Sequence, residues 1–474
     1  MIKLALAGII VLILIIAFLL IIRNKPDFWF WIFLNLYFDP GGYVTYYLDG
    51  KLVGPLNVTD VLIVGMIFCL VFAKIKLGII YQDQFLTKFL LYLFIFTLYY
   101  FIVYGGIVPY FHNDFDYVNF LLKNRMYFYG IIILISVYIF SLGGLKYFYT
   151  STIFIAVICL SLYFITLVTG LDLIPVWKFQ REGTAMTRIS MLSYGLFDSI
   201  FPLALIAYLL SRKINLNLKN KFWLFLGGVI MVITLLITLT RRTQIDIIAT
   251  VLIITLIISY LFRSGKIVEM FKIIIPAVLV IITLYFTFPK YVDFITETGE
   301  NTLLLLTGGK DSEGQSEDRV SGTGDLEITK EYINNNLLFG TGYSYLYWGP
   351  GYAYSRRGAT YSRAADAAGE VPIYYLLFGY GIAGAILMIP LYFMMGKLFF
   401  NLIRLLKLTL KNYLYDPITL IFSVYVLLTI ASKFTIQLAG LGYDFGSRGL
   451  NYTGILMGIG FALYRKMCID IYKE

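Results

Sequence analysis

Long apolar runs separated by short polar breaks dominate this sequence. A helix needs about 20 mainly apolar residues to cross a ~30 Å hydrocarbon layer at a 1.5 Å rise per residue. Twelve runs are read as spans: roughly 4–22, 56–73, 89–110, 126–145, 147–169, 190–210, 222–240, 245–262, 273–289, 371–396, 417–432 and 450–464. The last two are short, and 28–38 (FWFWIFLNLYF) reads as an interfacial or re-entrant piece. The first run has too long an apolar core for a signal peptide, and no small-residue cleavage site follows it, so it is expected to stay as a helix. The predicted fold is an all-α polytopic membrane protein. Nine spans fall in 1–288, a large loop in 289–370 and three spans in 371–474.

Composition agrees with the pattern. Of 474 residues, 59% are hydrophobic and 14% charged, against about 25% charged in soluble domains. Mean hydropathy is +0.81. Soluble enzymes, nucleic-acid binders and disordered proteins are thereby excluded as descriptions of the whole chain. The net charge of +10 acquires meaning from its placement. With both termini cytoplasmic, the inner segments collect 19 basic residues against five acidic ones, as the positive-inside rule requires. The outer segments, the large loop included, are net acidic. No two-fold repeat of hydropathy is visible, because the large loop follows the ninth span rather than the middle of the chain.

That loop divides in two. GGKDSEGQSEDRVSGTGD is rich in Gly, Ser and acids and reads as irregular. LEITKEYINNNLLFG has the apolar spacing of a short amphipathic helix ending at Gly340. A tyrosine-rich segment follows, with Tyr343, Tyr345, Tyr347, Trp348, Tyr352 and Tyr361 among arginines and no acid before Ala365. Aromatic rings stack on the apolar faces of sugars while phenol hydroxyls meet sugar hydroxyls. The other reading is an interfacial aromatic belt, but belts scatter over helix ends and this cluster is concentrated.

Candidate chemistry lies where charge breaks the orientation rule. Arg241 and Arg242 occupy a short outer hairpin between the seventh and eighth spans, where two arginines suit a pyrophosphate. Pairing of Arg242 with Asp246 and snorkelling of Arg241 is the alternative. Arg188, at the outer end of the sixth span, can join an anion site or snorkel. Arg319 and Arg363, near the two ends of the loop, are further candidates for pyrophosphate. Asp198 is either a carboxylate inside the sixth span, costly and functional by default, or an interfacial one if that helix starts late. Asp366 and Glu370 are four residues apart, so a helix through both puts them on one face, where either can serve as general base. Otherwise they are acids at a helix N-terminus. The single histidine, His112, is more readily an interfacial hydrogen-bonding residue than a catalyst. Cys69, Cys159 and Cys468 suggest neither a disulfide framework nor a metal site.

Three features in this order resemble the bacterial O-antigen and capsular-polysaccharide polymerases and their relatives, the O-antigen ligases. They are TLTRRTQ after the seventh span, Arg319 followed by FGTG at Phe339–Gly342, and Gly381-Ile-Ala-Gly384 in the tenth span. The ligases carry a histidine at the position that Glu370 holds here, which favours a polymerase over a ligase. The resemblance implies a GT-C-like, metal- and cofactor-independent, inverting glycosyltransferase in the bacterial cytoplasmic membrane. It would elongate glycan on undecaprenyl pyrophosphate for lipopolysaccharide or capsule, among membrane lipids. A chain-length regulator is an implied partner; nucleic acid is not. A ligase acting on a lipid core, or a flippase for lipid-linked oligosaccharide, remains the alternative.

Overall fold

A computed structural model describes residues 19–43, 51–53, 56–73, 78–180, 187–216, 218–237, 241–262, 324–344, 346–348, 353–355, 357, 359–370, 372–412, 416–435, 443–446 and 448–472. In chain order the helices are α1 (Pro26–Tyr37), α2 (Val58–Phe72), α3 (Gln84–Phe111), α4 (Tyr117–Leu142), α5 (Lys146–Thr169) and α6 (Phe197–Ser211). They continue with α7 (Lys221–Ile237), α8 (Arg241–Phe262), α9 (Gly324–Asn335), α10 (Ala359–Glu370), α11 (Pro372–Lys411), α12 (Pro417–Thr435) and α13 (Gly449–Tyr472). The strands form three antiparallel hairpins: β1 (Lys51–Val53) with β2 (Leu56–Asn57), β3 (Val176–Gln180) with β4 (Thr187–Met191), and β5 (Leu346–Trp348) with β6 (Ala353–Ser355).

Among the described residues, five helices are long and apolar enough to cross a membrane: α3, α4, α5, α11 and α12. Shorter apolar helices accompany them at α2, α6, α7 and α8. The expected spans 4–22 and 273–289 fall wholly or mostly outside the described residues. Several expected boundaries are corrected; the fourth span begins at Tyr117 rather than 126, and the twelfth runs on from 464 to Tyr472. The sixth span does not begin at 190, because TRISM pairs as β4 with β3 and Gly195, at φ 63°, turns the chain before the helix starts at Phe197. The tenth span runs on from 396 to Lys411.

Helix starts follow ordinary capping chemistry. Asp83 opens α3 by accepting from the Phe85 and Leu86 amides, both at 3.1 Å. Asp116 opens α4, and Asp416 opens α12 by accepting from the Thr419 amide at 2.9 Å. Asn57 and Asp60 form a reciprocal box at the start of α2.

The same acids tie neighbouring helices together, and the ties define two ends of the bundle. At one end, called upper here, Asp60 accepts from Tyr129 at 2.5 Å and pairs with Arg125 at 3.0 Å, joining the start of α2 to the upper half of α4. At the lower end Asp83 accepts from Tyr138 at 2.9 Å, and Arg465 donates to Tyr138 at 3.0 Å. This joins the start of α3 to the ends of α4 and α13.

Helix α13 lies closely on α4 because glycines face it. A Cβ on Gly454 would come within 2.8 Å of the Gly130 carbonyl, and one on Gly458 within 2.8 Å of the Leu134 carbonyl. This small-xxx-small approach supplies the contact that apolar burial cannot supply between helices in lipid.

Helices α9 and α10 make a small cap on the upper end with a core of its own: Ile333, Tyr361, Ala364, Ala368 and Phe378. Thr329 donates to the Ala364 carbonyl at 2.9 Å across the helix pair.

Candidate functional site

The site is built on two interrupted helices. Residues Tyr99–Ile107 of α3 form a π-helix, in which the carbonyl of residue i looks to the amide of residue i+5. For Tyr104 that residue is Pro109, which has no N–H to give. In α11, Gly381 adopts φ 64°, ψ −175° and breaks the helix. The α-helical pairs 378/382 and 379/383 are split by that break, leaving two carbonyls and two amides to be satisfied in a buried place.

One segment satisfies them all. Residues 337–343, which contain FGTG, lie along the break as a strap. The Thr341 and Gly342 amides donate to the Phe378 and Gly379 carbonyls at 2.7 and 3.1 Å. The Ile382 and Ala383 amides donate to the Leu337 and Leu338 carbonyls, both at 2.9 Å. The Tyr343 amide then fills the Tyr104 carbonyl at 2.9 Å. Glycine is required where the two backbones meet. A Cβ on Gly340 would stand 2.5 Å from the Gly379 carbonyl oxygen, and one on Gly381 2.3 Å from the Gly340 amide nitrogen. The two glycine motifs singled out in the sequence are therefore one structural joint.

Side chains lock it. Thr341 donates to the Phe378 carbonyl at 2.9 Å, so the Tyr361 hydroxyl is the donor in its 3.0 Å contact with Thr341. Tyr99 donates its hydroxyl hydrogen to the Tyr380 carbonyl, with the Phe339 carbonyl 3.3 Å away. Arg357 sends Nε to Asp114 at 3.2 Å, Nη1 to the Thr341 carbonyl at 2.5 Å and Nη2 to the Tyr343 carbonyl at 3.0 Å, and stacks on Tyr361 at 4.9 Å. Ser344 adds a 2.8 Å bond to Asp114. The pair is shielded, with 9% of the Arg357 side chain and 1% of the Asp114 side chain exposed. His112 meets the Asn336 side chain at 3.1 Å. Desolvation by the surrounding protein, then the nearby Arg357 charge, hold its pKa below the usual 6.5. Burial, the main cause, raises the Tyr361 hydroxyl above its ordinary value.

The expected site residues fall as follows. Asp366 and Glu370 lie one turn apart in α10, at its end rather than at the start of α11. Buried Tyr361, Ala364 and Ala368 mark the inner stripe of α10. At 100° per residue, positions 363, 366 and 370 share the opposite face of the helix. Arg241 and Arg242 are the first two residues of α8. That is the upper end, because Tyr260 near the other end of α8 packs under Lys407 of the last turns of α11.

Arg188 stands in β4 opposite Phe179, not on a helix. Tyr361 is 4% exposed, so its ring faces protein rather than an open sugar surface. Tyr343 is half-buried and packs on Phe120 at 5.0 Å. Tyr347 and Trp348 lie in β5, whereas Arg319, Tyr345 and Tyr352 fall outside the described residues.

Sequence reasoning missed Asp114, Arg357, Lys433 and Asp444. Lys433 pairs with Asp444, which also accepts from Tyr392 at 3.3 Å and Thr453 at 3.4 Å. Each of these charges lies near a helix end, where an ion pair and a solvated charge look alike in sequence. Among the described residues no group of His, Cys, Asp or Glu has the arrangement of a metal site.

In comparison with known proteins, no family model and no curated sequence matches the chain.

Proposed function

We propose that the chain is a polysaccharide polymerase of the bacterial cytoplasmic membrane. In this reading the upper end is the outer face, the C-terminus is cytoplasmic and the large loop lies outside; the segment 28–38, expected at the outer interface, instead rises as α1 from Phe148 at the lower end to Tyr452 at the upper end. The observation that carries it is the strap joint. Phe339–Gly342 and Gly381–Gly384, two of the three motifs behind the resemblance, meet through paired backbone hydrogen bonds. The joint holds α10, with positions 363, 366 and 370 on one face, at the same end as Arg241 and Arg242.

The chemistry is a substitution at an anomeric carbon. Glu370 or Asp366 takes the proton of the acceptor sugar's hydroxyl. The hydroxyl oxygen bonds to the anomeric carbon of the growing glycan. The bond from that carbon to undecaprenyl pyrophosphate breaks, and its electron pair leaves on the pyrophosphate with inversion. Arginines, with the amides that open α8, favour the charge that develops there. Arg241 and Arg242 are the first candidates, followed by Arg363, Arg319 and Arg188. Cations at a helix N-terminus oppose its dipole, so an anion bound between them relieves an unfavourable arrangement.

The test is direct. Purified protein in lipid nanodiscs receives undecaprenyl-pyrophosphate-linked repeat units, and the products are resolved by size. A ladder of longer glycans is expected. Arg241→Ala, Arg242→Ala and Glu370→Gln should each reduce it by about a hundredfold or more, the usual scale for losing a transition-state contact. Active transfer to a lipid core without a ladder would identify a ligase, and movement across the bilayer without bond formation a flippase.

A further inference from the structure

A second surface at the upper end is not used by the joint. The turn Tyr443–Gly446 is held from below. Phe445 is fully buried, Asp444 is bound by Lys433, Tyr392 and Thr453, and the Gly446 amide returns to the Tyr443 carbonyl at 2.9 Å. This rigid base leaves Tyr443 45% exposed and Tyr452, one turn into α13, 50% exposed. Tyr452 is braced on one side by Phe38 at 4.7 Å. Across from it, Asp198 is exposed in the first turn of α6. Tyr425 of α12 lies near Ser199 beside it.

The groups form a strip in which each lies within electrostatic range of the next. Asp198 reaches Tyr425 and Tyr452, Tyr452 reaches Tyr443 and Arg448, and Tyr443 reaches Tyr375 in the first turn of α11. Tyr375 is five residues beyond Glu370. A plain aromatic belt does not account for the strip, because belts have no use for a carboxylate. Among the described residues Asp198 has no salt-bridge partner, and its nearest polar group is the Ser199 backbone. An ionised carboxylate accepts two or more hydroxyl hydrogens, and braced tyrosines offer flat apolar faces with a polar edge. Those are the requirements of a sugar ring.

We propose that Asp198, Tyr452 and Tyr443 form a carbohydrate subsite that holds the sugar portion of the substrate, with Asp198 accepting from its hydroxyls. This rests on the polymerase reading for the identity of the sugar. It adds a site that the reading does not contain.

The probe is the repeat-unit oligosaccharide released from its lipid by mild acid and fluorescently labelled. Its binding to the full-length protein in nanodiscs is followed by a change in polarisation. Asp198→Asn and Tyr452→Ala should each weaken binding by about tenfold or more, the effect of losing one charge-assisted hydrogen bond or one stacking face. Tyr452→Phe should retain most of the affinity, and Asp172→Asn, an exposed carboxylate already paired with Lys178, should retain all of it. Should Asp198→Asn fail to fold, Tyr452→Ala and Tyr443→Ala carry the same test. Wild-type protein that does not bind the oligosaccharide overturns the proposal. So does binding unchanged in Asp198→Asn and Tyr452→Ala. Failure of the polymerase reading looks different: the oligosaccharide binds with this mutational pattern, but lipid-linked repeat units yield no ladder.

Discussion

Arg357 shows how much of the upper end depends on one side chain. Its planar fork serves one carboxylate oxygen and two strap carbonyls at once. Removing one partner of a buried pair leaves the other charge uncompensated, at a cost of about 3–5 kcal/mol. Arg357→Ala should release the strap, seen as faster hydrogen exchange at Thr341–Tyr343 and easier proteolysis before α10. Arg357→Lys should not restore protection, because an ammonium cannot reproduce the fork's geometry. His112 adds a pH dependence. Its folded pKa lies below 6.5, so neutral His112 favours the fold above the unfolded value. That contribution is lost as pH falls through 6.5 and the folded pKa, where the unfolded chain binds the proton more readily. A thermal melt at pH 7.5 and pH 5 should show a smaller acid-induced loss for His112→Gln than for wild type.

At the scale of elements, the breaks in α3 and α11 are complements of the strap rather than defects. Gly381→Ala places a Cβ against the Gly340 amide at a φ of 64°, so both strain and collision act. The expected result is a protein that retains its bundle, measured by far-ultraviolet circular dichroism, yet loses strap protection and glycan laddering together. Pro109→Ala restores an N–H next to the Tyr104 carbonyl and sets it in competition with Tyr343, so it should weaken the strap less than Gly381→Ala. Packing of α13 on α4 is tested separately. Gly458→Leu forces bulk against the Leu134 carbonyl, which should destabilise the bundle by about 1–3 kcal/mol or more. The readout is detergent-resistant melting temperature, with strap protection lost only when the whole bundle melts.

For the whole molecule, the two-ended arrangement makes a topological prediction. Asp172→Cys, just past the upper end of α5, and Asn220→Cys, just before the lower end of α7, should lie on opposite sides of the membrane, with the first outside in the proposed orientation. An impermeant thiol reagent added to intact cells should label the first and spare the second until the membrane is opened. Native Cys69 and Cys159 are buried. They should give little background.

Much of this organisation was legible in the residues. The length of an apolar run is a local quantity set against a fixed bilayer thickness, so α3, α4, α5, α11 and α12 could be anticipated within a few residues at most ends. The amphipathic spacing of LEITKEYINNN anticipated α9 for the same reason. Arg188 went astray because an apolar stretch beside a glycine turn reads alike as a helix end or a strand, and only the pairing of β4 with β3 decides it. Tyr361 read as an exposed platform because tyrosine is amphipathic, and its burial depends on Tyr332 and Phe378 arriving from other helices. Glycine motifs could be seen in sequence, but not that Gly340 and Gly381 touch. The sequence by itself determined a helical chain of membrane-spanning length, because hydrophobic period and run length act over neighbouring residues. Tertiary structure decided the joint, the Arg357 lock and the setting of Asp198, Tyr452 and Tyr443. Hydrogen bonds left open by a proline or a broken helix are completed by whichever distant backbone fits against them.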